Sequence, residues 1–115
     1  MRYTVSIKKN RDFKSLYRSG KSSVNPYLVI YCRKNRHGES RLGISVGTKV
    51  GKAVCRNRVR RRIREAYRLS EEKIRPGHDI IIVARVRAAS AAYQDIETAL
   101  LRLCGKLGLL RGEGE

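Results

Sequence analysis

The spacing of apolar residues along the chain predicts three helices. The first runs from Asn10 to Gly20 and carries its apolar and aromatic face on Phe13, Leu16 and Tyr17. The second runs from about Ala53 to Leu69, and its apolar positions recur at helical steps as Val59, Ile63, Ala66 and Tyr67. The third follows Ser90, its predicted N-cap, and has one apolar stripe, formed by Tyr93, Ile96, Leu100, Leu103 and Leu107.

Alternating apolar and polar positions predict strands between these helices. Three precede the second helix: Lys21 to Val24, Tyr27 to Arg33, and Arg41 to Val46. A fourth, Asp79 to Val86, is apolar on both faces, which indicates a central strand covered on each side. The order helix, three strands, helix, strand, helix predicts an α+β fold, an α/β sandwich with helices packed on a mixed sheet.

Length and charge narrow the class of protein. A chain of 115 residues predicts one domain over residues 1–115, with a disordered tail from about residue 111. Lys and Arg number 27 against 10 Asp and Glu, a formal net charge of +17 whose self-repulsion a polyanion relieves. Nucleic acid is the expected partner because phosphate contacts dominate its affinity. A membrane surface is the weaker option, since the basic second helix has few bulky apolar side chains.

The cysteines and the N-terminus exclude several other classes. Cys32, Cys55 and Cys104 are odd in number and form no C-x-x-C pair, so zinc ribbons and redox motifs are unsupported. We expect them to be reduced core residues. No apolar run approaches the ~20 residues of a membrane span, and the N-terminus lacks the apolar stretch of a signal peptide. A cytoplasmic location follows as an expectation.

The second helix carries the strongest chemical signal. Seven arginines lie between Arg56 and Arg68 against one acid, Glu65, whereas a solvated helix face usually pairs opposite charges four residues apart. Guanidinium groups fit phosphate oxygens two at a time. The outward face is therefore predicted to bind a polyanion through Asn57, Arg61, Arg64 and Arg68, with Arg58 and Arg60 on its flanks.

The same segment resembles a known family. Residues Gly51 to Glu65, G-K-A-V-C-R-N-R-V-R-R-R-I-R-E, are similar to the R-N-R signature of the bacterial ribonuclease P protein subunit. Segments 10–20, 41–46 and 79–85 resemble other parts of that family in order and spacing. Two departures stand out: Gly47 and Thr48 occupy positions where the family often has lysine, and Arg60 replaces the usual lysine.

This resemblance implies a fold and a function. The fold would be ribosomal protein S5 domain 2-like, with a left-handed β-α-β crossover where about 98% of parallel crossovers are right-handed. The function would be that of a subunit of an endoribonuclease, a ribonucleoprotein that removes the 5′ leader of precursor tRNA. Catalysis would depend on Mg²⁺ held by the RNA subunit, with no catalytic or metal-binding residue in this chain. The partners would be ribonuclease P RNA and precursor tRNA, without membrane or DNA.

The resemblance also implies two sets of binding residues. The catalytic RNA would contact the second helix and the residue before it, through Lys52, Arg56, Asn57, Arg58, Arg60, Arg61, Arg64 and Arg68. The single-stranded leader would contact a cleft between the first helix and the sheet, through Phe13, Tyr17 and Tyr31. For isolated aromatic residues a core position is the commoner outcome, but flat rings among cations are typical of single-strand binding.

Two other functions are compatible with a basic chain. One is a structural, ribosomal-type RNA-binding protein, which would bind folded rRNA and ignore a 5′ leader. The other is an autonomous nuclease, which usually needs clustered carboxylates to hold metal ions. The only adjacent acids in the folded region, Glu71 and Glu72, are expected at a frayed helix end, and His37 and His78 in turns next to glycine.

Overall fold

The computed structural model describes residues 1–36 and 38–112. Within that part of the chain lie eight regular elements, in the order β1 (Thr4–Ser6), α1 (Asn10–Ser19), β2 (Lys21–Val24), β3 (Leu28–Lys34), β4 (Ser40–Ser45), α2 (Ala53–Ser70), β5 (His78–Ala84) and α3 (Tyr93–Lys106). Short 3-10 turns at residues 48–50, 71–73 and 86–90 connect the later elements. The predicted helices and strands are all present; β2 has the predicted bounds, and the ends of the other elements differ by at most three residues.

The strands form one mixed sheet in the order β1-β4-β5-β3-β2. β4 is parallel to both β1 and β5, whereas β3 is antiparallel to β5 and to β2. The prediction of a mixed sheet is therefore confirmed. α2 is the connection between the parallel neighbours β4 and β5, and the left-handed sense of that crossover stays a prediction.

β5 lies at the centre of the sheet and is buried on both faces. Ile80 and Ile82 belong to the larger core, which α2 and α3 cover with Val59, Ile63, Leu100 and Leu103 among others. Ile81 faces the opposite side, where it packs with Leu16 of α1 and Ile7. This arrangement confirms the sandwich, with one helix on one face of the sheet and two on the other.

β1 is the strand that the apolar pattern did not predict. It has three residues, of which Val5 is 44% exposed, so it carries no recognisable alternation. Its position depends on Glu71, which accepts hydrogen bonds from the backbone N–H groups of Arg2 (2.8 Å) and Tyr3 (3.2 Å) and from the hydroxyl of Thr4. The expectation that Glu71 lies in a frayed helix end was wrong, because this carboxylate is buried and fastens the N-terminus.

The start of α3 also differs from the prediction. The helix begins at Tyr93, and Asp95 accepts a hydrogen bond from the backbone N–H of Ala92 at 3.1 Å, so Asp95 satisfies the helix N-terminus. Ser90 lies in the preceding 3-10 turn and is not the cap. A serine near a helix start is a weak signal, because the end of a helix can also be fixed by an acid at its third position, which accepts from the N-cap N–H.

The C-terminal region and the cysteines complete the fold. Arg111 donates its backbone N–H to the carbonyl of Lys73 at 2.7 Å, whereas residues 113–115 of the predicted disordered tail lie outside the described residues, as does His37.

Cys32 and Cys104 are buried free thiols, and burial raises the pKa of Cys104 to about 12. None of the helices in residues 1–36 and 38–112 is long and apolar enough to cross a membrane.

Replacing Glu71 with alanine should release β1 and lower the free energy of unfolding by about 2 kcal/mol, the scale of hydrogen bonds to a charged group. Burial alone would raise the pKa of Glu71, but the bonds from Thr4, Arg2 and Tyr3 outweigh it and hold the pKa below its usual value. A depressed carboxylate pKa stabilises the fold at neutral pH and loses its effect as the pH falls through that pKa. Urea unfolding of the parent and the variant at pH 7 and at acidic pH measures the loss of stability and its dependence on pH.

The exposed neighbour Glu72 provides the matched control for this variant. Glu72→Ala removes the same charge without breaking a contact to β1, so its unfolding free energy at pH 7 should stay within about 0.5 kcal/mol of the parent. Equal losses for the two variants would show that Glu71 does not fasten β1.

Candidate nucleic-acid interface

The arginines of α2 face solvent because the apolar side of this helix is buried in the core. Val59, Ile63 and Tyr67 are buried against the sheet and α3. Most of the predicted polyanion-binding residues are exposed, namely Lys52, Asn57, Arg58, Arg61, Arg64 and Arg68. Arg56 and Arg60 are partly buried, so the eight predicted residues form an exposed surface with two members at its edges.

Several of these side chains already have protein partners. Arg58 donates to the carbonyl of Ala89 at 3.4 Å, and Arg62, which was not among the predicted residues, donates to the carbonyl of Ala91 at 2.6 Å. These two arginines hold the chain around the 86–90 turn against α2. Their contacts are to backbone oxygens more than 25 residues away, which the helical pattern alone could not reveal.

Arg68 has the strongest partner on this face. Its guanidinium donates two hydrogen bonds to Glu65, at 3.1 and 2.5 Å, and the hydrogen bond from Arg68 holds the pKa of Glu65 below its usual value. The side chains of Arg61 and Arg64, by contrast, make no hydrogen bond or ion pair with other described residues and are exposed. They are the arginines of α2 that are most available to an external phosphate.

The three predicted aromatic residues form one cluster. Phe13 and Tyr17 lie one turn apart on α1 with ring centroids 6.3 Å apart, and Tyr17 meets Tyr31 of β3 edge-on at 4.9 Å. Tyr17 remains 39% exposed, while the other two rings are half-buried. The cluster thus combines packing against the sheet with an open ring surface, so a core position applies in part, and contact with the leader stays a prediction.

A glycine in β4 makes room for this cluster. A Cβ at Gly43 would lie 2.6 Å from Cζ of Phe13, so only the absence of a side chain lets the ring approach the sheet this closely. Gly43 and Tyr31 are both opposite Ile81, on either side of it, in one row across the sheet. A glycine within an alternating strand was the sequence signal for this close approach.

The aromatic cluster and the basic helix meet at the edge of β4. β1 pairs only with residues 40–42 of β4, so the second half of that strand forms the rim of an open cleft of about 530 Å³. Phe13, Lys14 and Tyr17 line the cleft from α1, and Arg60 lines it from α2. Arg60, predicted as a member of the helix surface, therefore also borders the rings.

A second cleft, of about 760 Å³, lies at the carboxyl ends of β4 and β5. It contains Lys49, Arg85 and Arg87, and none of the residues that line it is acidic. Arg85 donates to the carbonyl of Asn25 at 2.9 Å, and the guanidinium of Arg87 lies 5.8 Å from the ring centroid of Tyr27. Sequence reasoning missed Arg85 and Arg87 because they follow a buried strand singly, outside any basic run.

The carboxylates of the described chain do not gather into a metal-binding group. Among residues 1–36 and 38–112, no three His, Cys, Asp or Glu side chains lie close enough to hold a metal ion. Glu71 binds β1, and Asp79 is bound by Arg41 and Asn35. The two buried acids are thus engaged in structural hydrogen bonds.

Comparison with known proteins gives consistent matches over nearly the whole chain. The family model described as Ribonuclease P matches residues 1–108. The ribonuclease P protein component of Clostridioides difficile (strain 630) is 54% identical over 101 residues, covering 87% of this chain and 89% of that protein. That of Clostridium botulinum (strain Okra / Type B1) is 48% identical over 104 residues, covering 90% and 94%.

Solved structures agree with these matches. A structure of the Staphylococcus aureus RNase P protein superimposes with a TM-score of 0.84 at 36% identity and covers 92% of this chain and 97% of that one. The RNase P protein from Thermotoga maritima superimposes with a TM-score of 0.77 at 35% identity and covers 84% and 92%.

Proposed function

The chain belongs to the ribonuclease P protein family, and from that membership we propose that its two surfaces bind two different RNA segments. As a family member it is a subunit of a ribonuclease, acts in tRNA processing and has an RNA partner. The family match disfavours the alternative of a structural ribosomal-type protein. The observation that carries the proposal is the cleft at the β4 edge, where rings of α1 and an arginine of α2 border one space.

The exposed face of α2 is proposed to bind the RNA subunit of the enzyme. Arg61 and Arg64 lie one turn apart and point away from the core, so a folded RNA backbone can approach both. Arg58 sits beside them but also supports the 86–90 turn, and Arg68 must share its charge with Glu65. We therefore expect Arg61 and Arg64 to contribute more phosphate binding than Arg68.

The aromatic cleft is proposed to bind the single-stranded 5′ leader of precursor tRNA. The exposed part of Tyr17 offers a surface on which an unpaired base can stack, and Lys14 and Arg60 supply charge to the adjoining phosphates. Phe13 and Tyr31 back the ring of Tyr17 and restrict its rotamers. A leader in this cleft would lie beside RNA bound to α2, so one small subunit can contact the leader and the RNA subunit at the same time.

Bond hydrolysis is proposed to be carried out by Mg²⁺ ions held by the RNA subunit. The role of this chain is to neutralise phosphates of both RNAs with its excess of 17 positive charges. The two RNAs then approach each other with less repulsion. This division of roles lowers the magnesium concentration that the reaction needs. A cytoplasmic location fits the buried free thiols, which favour a reducing compartment.

Reconstitution tests this division of roles. Added to ribonuclease P RNA at low magnesium concentration, the chain should raise the rate of precursor tRNA cleavage about tenfold or more, because neutralising several phosphates changes RNA affinity by orders of magnitude. The RNA alone at high magnesium is the control. Cleavage of the precursor by the purified chain without RNA would contradict the proposal.

Arg61→Ala should weaken binding to ribonuclease P RNA and flatten its salt dependence. Loss of one phosphate contact lowers the slope of log K against log salt concentration by about one unit. Lys106→Ala, which removes one charge from the exposed side of α3, is the control and should leave the slope nearly unchanged. Titrations at several salt concentrations measure both, and equal slopes for Arg61→Ala and the parent would remove Arg61 from the interface.

Tyr17→Ala should weaken the binding of precursor tRNA by the holoenzyme while leaving mature tRNA nearly unaffected. Stacking of one base on an aromatic ring is worth about 1–3 kcal/mol, so the dissociation constant of the precursor should rise about fivefold or more. Tyr3→Ala removes another exposed ring, which lies just before β1 and outside the cleft, and should change neither constant. If Tyr17→Ala weakens both ligands equally, the rings serve only packing.

A further inference from the structure

A row of three charged residues crosses the sheet beneath α1. Arg33 of β3 and Arg41 of β4 both stand directly opposite Asp79 of β5, one on each side. Asp79 is only 3% exposed, and Arg41 binds its two oxygens from Nε and Nη2 at 2.8 and 2.7 Å. Nη2 of Arg33 lies 3.8 Å from Oδ2, and Asn35 donates to Oδ1 at 2.9 Å. The buried carboxylate thus fixes both arginines.

The two arginines in turn hold α1. Nη1 of Arg33 donates to the hydroxyls of Ser15 at 3.0 Å and Ser19 at 2.6 Å, and Nη1 of Arg41 lies 3.6 Å from the carboxylate of Asp12. Positions 12, 15 and 19 follow at steps of three and four, so they form one polar stripe along the helix. The row therefore contacts α1 over two of its turns.

The aromatic cluster lies on the next row of the same sheet face. Tyr31 and Gly43 stand opposite Ile81, each two residues away from the charged row on its own strand, a distance of roughly 7 Å. Phe13 lies over Gly43, and Tyr17 packs on Tyr31. α1 thus places its polar stripe on one row and its ring stripe on the neighbouring row, and a small roll of the helix displaces both.

The apolar packing beneath α1 is confined to a small core. Leu16 is the one fully buried side chain of this helix and packs with Ile7 and Ile81, and the half-buried Phe13 packs against the same core. The polar stripe adds a second set of constraints, namely the hydrogen bonds of Arg33 to Ser15 and Ser19 and the ion pair of Arg41 with Asp12. These contacts lie beside the apolar core, so they can act on the angle at which the rings face the cleft.

We propose that Asp79 is a positioning residue for leader recognition: through Arg33 and Arg41 it sets the orientation of α1 and hence the spacing of Tyr17 and Tyr31. The inference rests on the proposed binding of the leader to these rings. Asp79 itself is buried under α1 and cannot contact RNA. Its influence on the leader is transmitted by the helix.

For a variant at Asp79, the change in net charge and the loss of positioning should change leader affinity in opposite directions. Replacing Asp79 by asparagine changes the net charge from +17 to +18, which should tighten the binding of any RNA. Loss of the ion pairs to Arg41 and Arg33 should instead loosen α1 and weaken binding of the leader. The sign of the change therefore separates positioning from charge.

The test compares Asp79→Asn with Glu72→Gln, an exposed site with the same change in charge, in holoenzyme assembled with ribonuclease P RNA. The measured quantity is the ratio of affinities for precursor tRNA and mature tRNA. Asp79→Asn should lower that ratio about threefold to tenfold, part of the effect of losing one stacked base, and Glu72→Gln should leave it unchanged. Affinity for ribonuclease P RNA should stay within about twofold for both, because α2 packs on the other face of the sheet.

A second variant keeps the proposal testable if Asp79→Asn fails to fold. Ser15→Ala with Ser19→Ala removes both acceptors of Arg33 on α1 while leaving the ion pairs of Asp79 in place, and alanine favours the helix. This double variant should lower the affinity ratio about threefold. An unchanged or increased ratio in it, or in folded Asp79→Asn, overturns the proposal.

The parallel result for Tyr17→Ala separates leader binding by the rings from the positioning role of Asp79. A lowered ratio for Tyr17→Ala with unchanged ratios for Asp79→Asn and for the serine variant leaves leader binding intact and removes only the positioning role. If Tyr17→Ala also leaves the ratio unchanged, the rings do not bind the leader, and the positioning proposal falls with it.

Discussion

The structure depends on one constraint, which is that β5 is apolar on both faces and must be covered on both. Ile80 and Ile82 require one layer of helices and Ile81 requires another, so α1 cannot lie on the same side of the sheet as α2 and α3. The aromatic cluster and the arginine face consequently belong to opposite faces. They share a border where β4 is left open, at the cleft beside Arg60.

The basic character of the surface is matched by the use of acids inside the fold. Glu71 fastens the N-terminal strand and Asp79 holds the charged row under α1, and both carboxylates are buried. Burial alone would raise the pKa of Asp79, but the bonds from Arg41 and Asn35 outweigh it and keep the pKa low. Because these two carboxylates are directed inward, they do not screen the exposed arginines, and the outer field stays strongly positive.

Patterns of neighbouring residues predicted the helices, the strands and the arginine face, because these features depend on residues close together in the sequence. The arginine face of α2 followed from helical spacing and a missing set of acids, and the central position of β5 followed from an unbroken apolar run. Contacts between distant segments could not be predicted in this way. β1 pairs with β4 because Glu71 binds it from 67 to 69 residues away, and the opposition of Arg33, Asp79 and Arg41 depends on strand register. The rings could be identified as candidates, but their contact with one another could not.

The short reach of β1 has a further consequence. It ends its pairing at Leu42, so within the described chain residues 43–45 of β4 pair with a neighbouring strand on one side only, and Ile44 and Ser45 line the cleft. Peptide amides and carbonyls have the same chemistry whatever side chain is attached to them. Contacts made by this bare edge would therefore be indifferent to base identity and insensitive to amino-acid replacement, unlike contacts made by the arginines beside it.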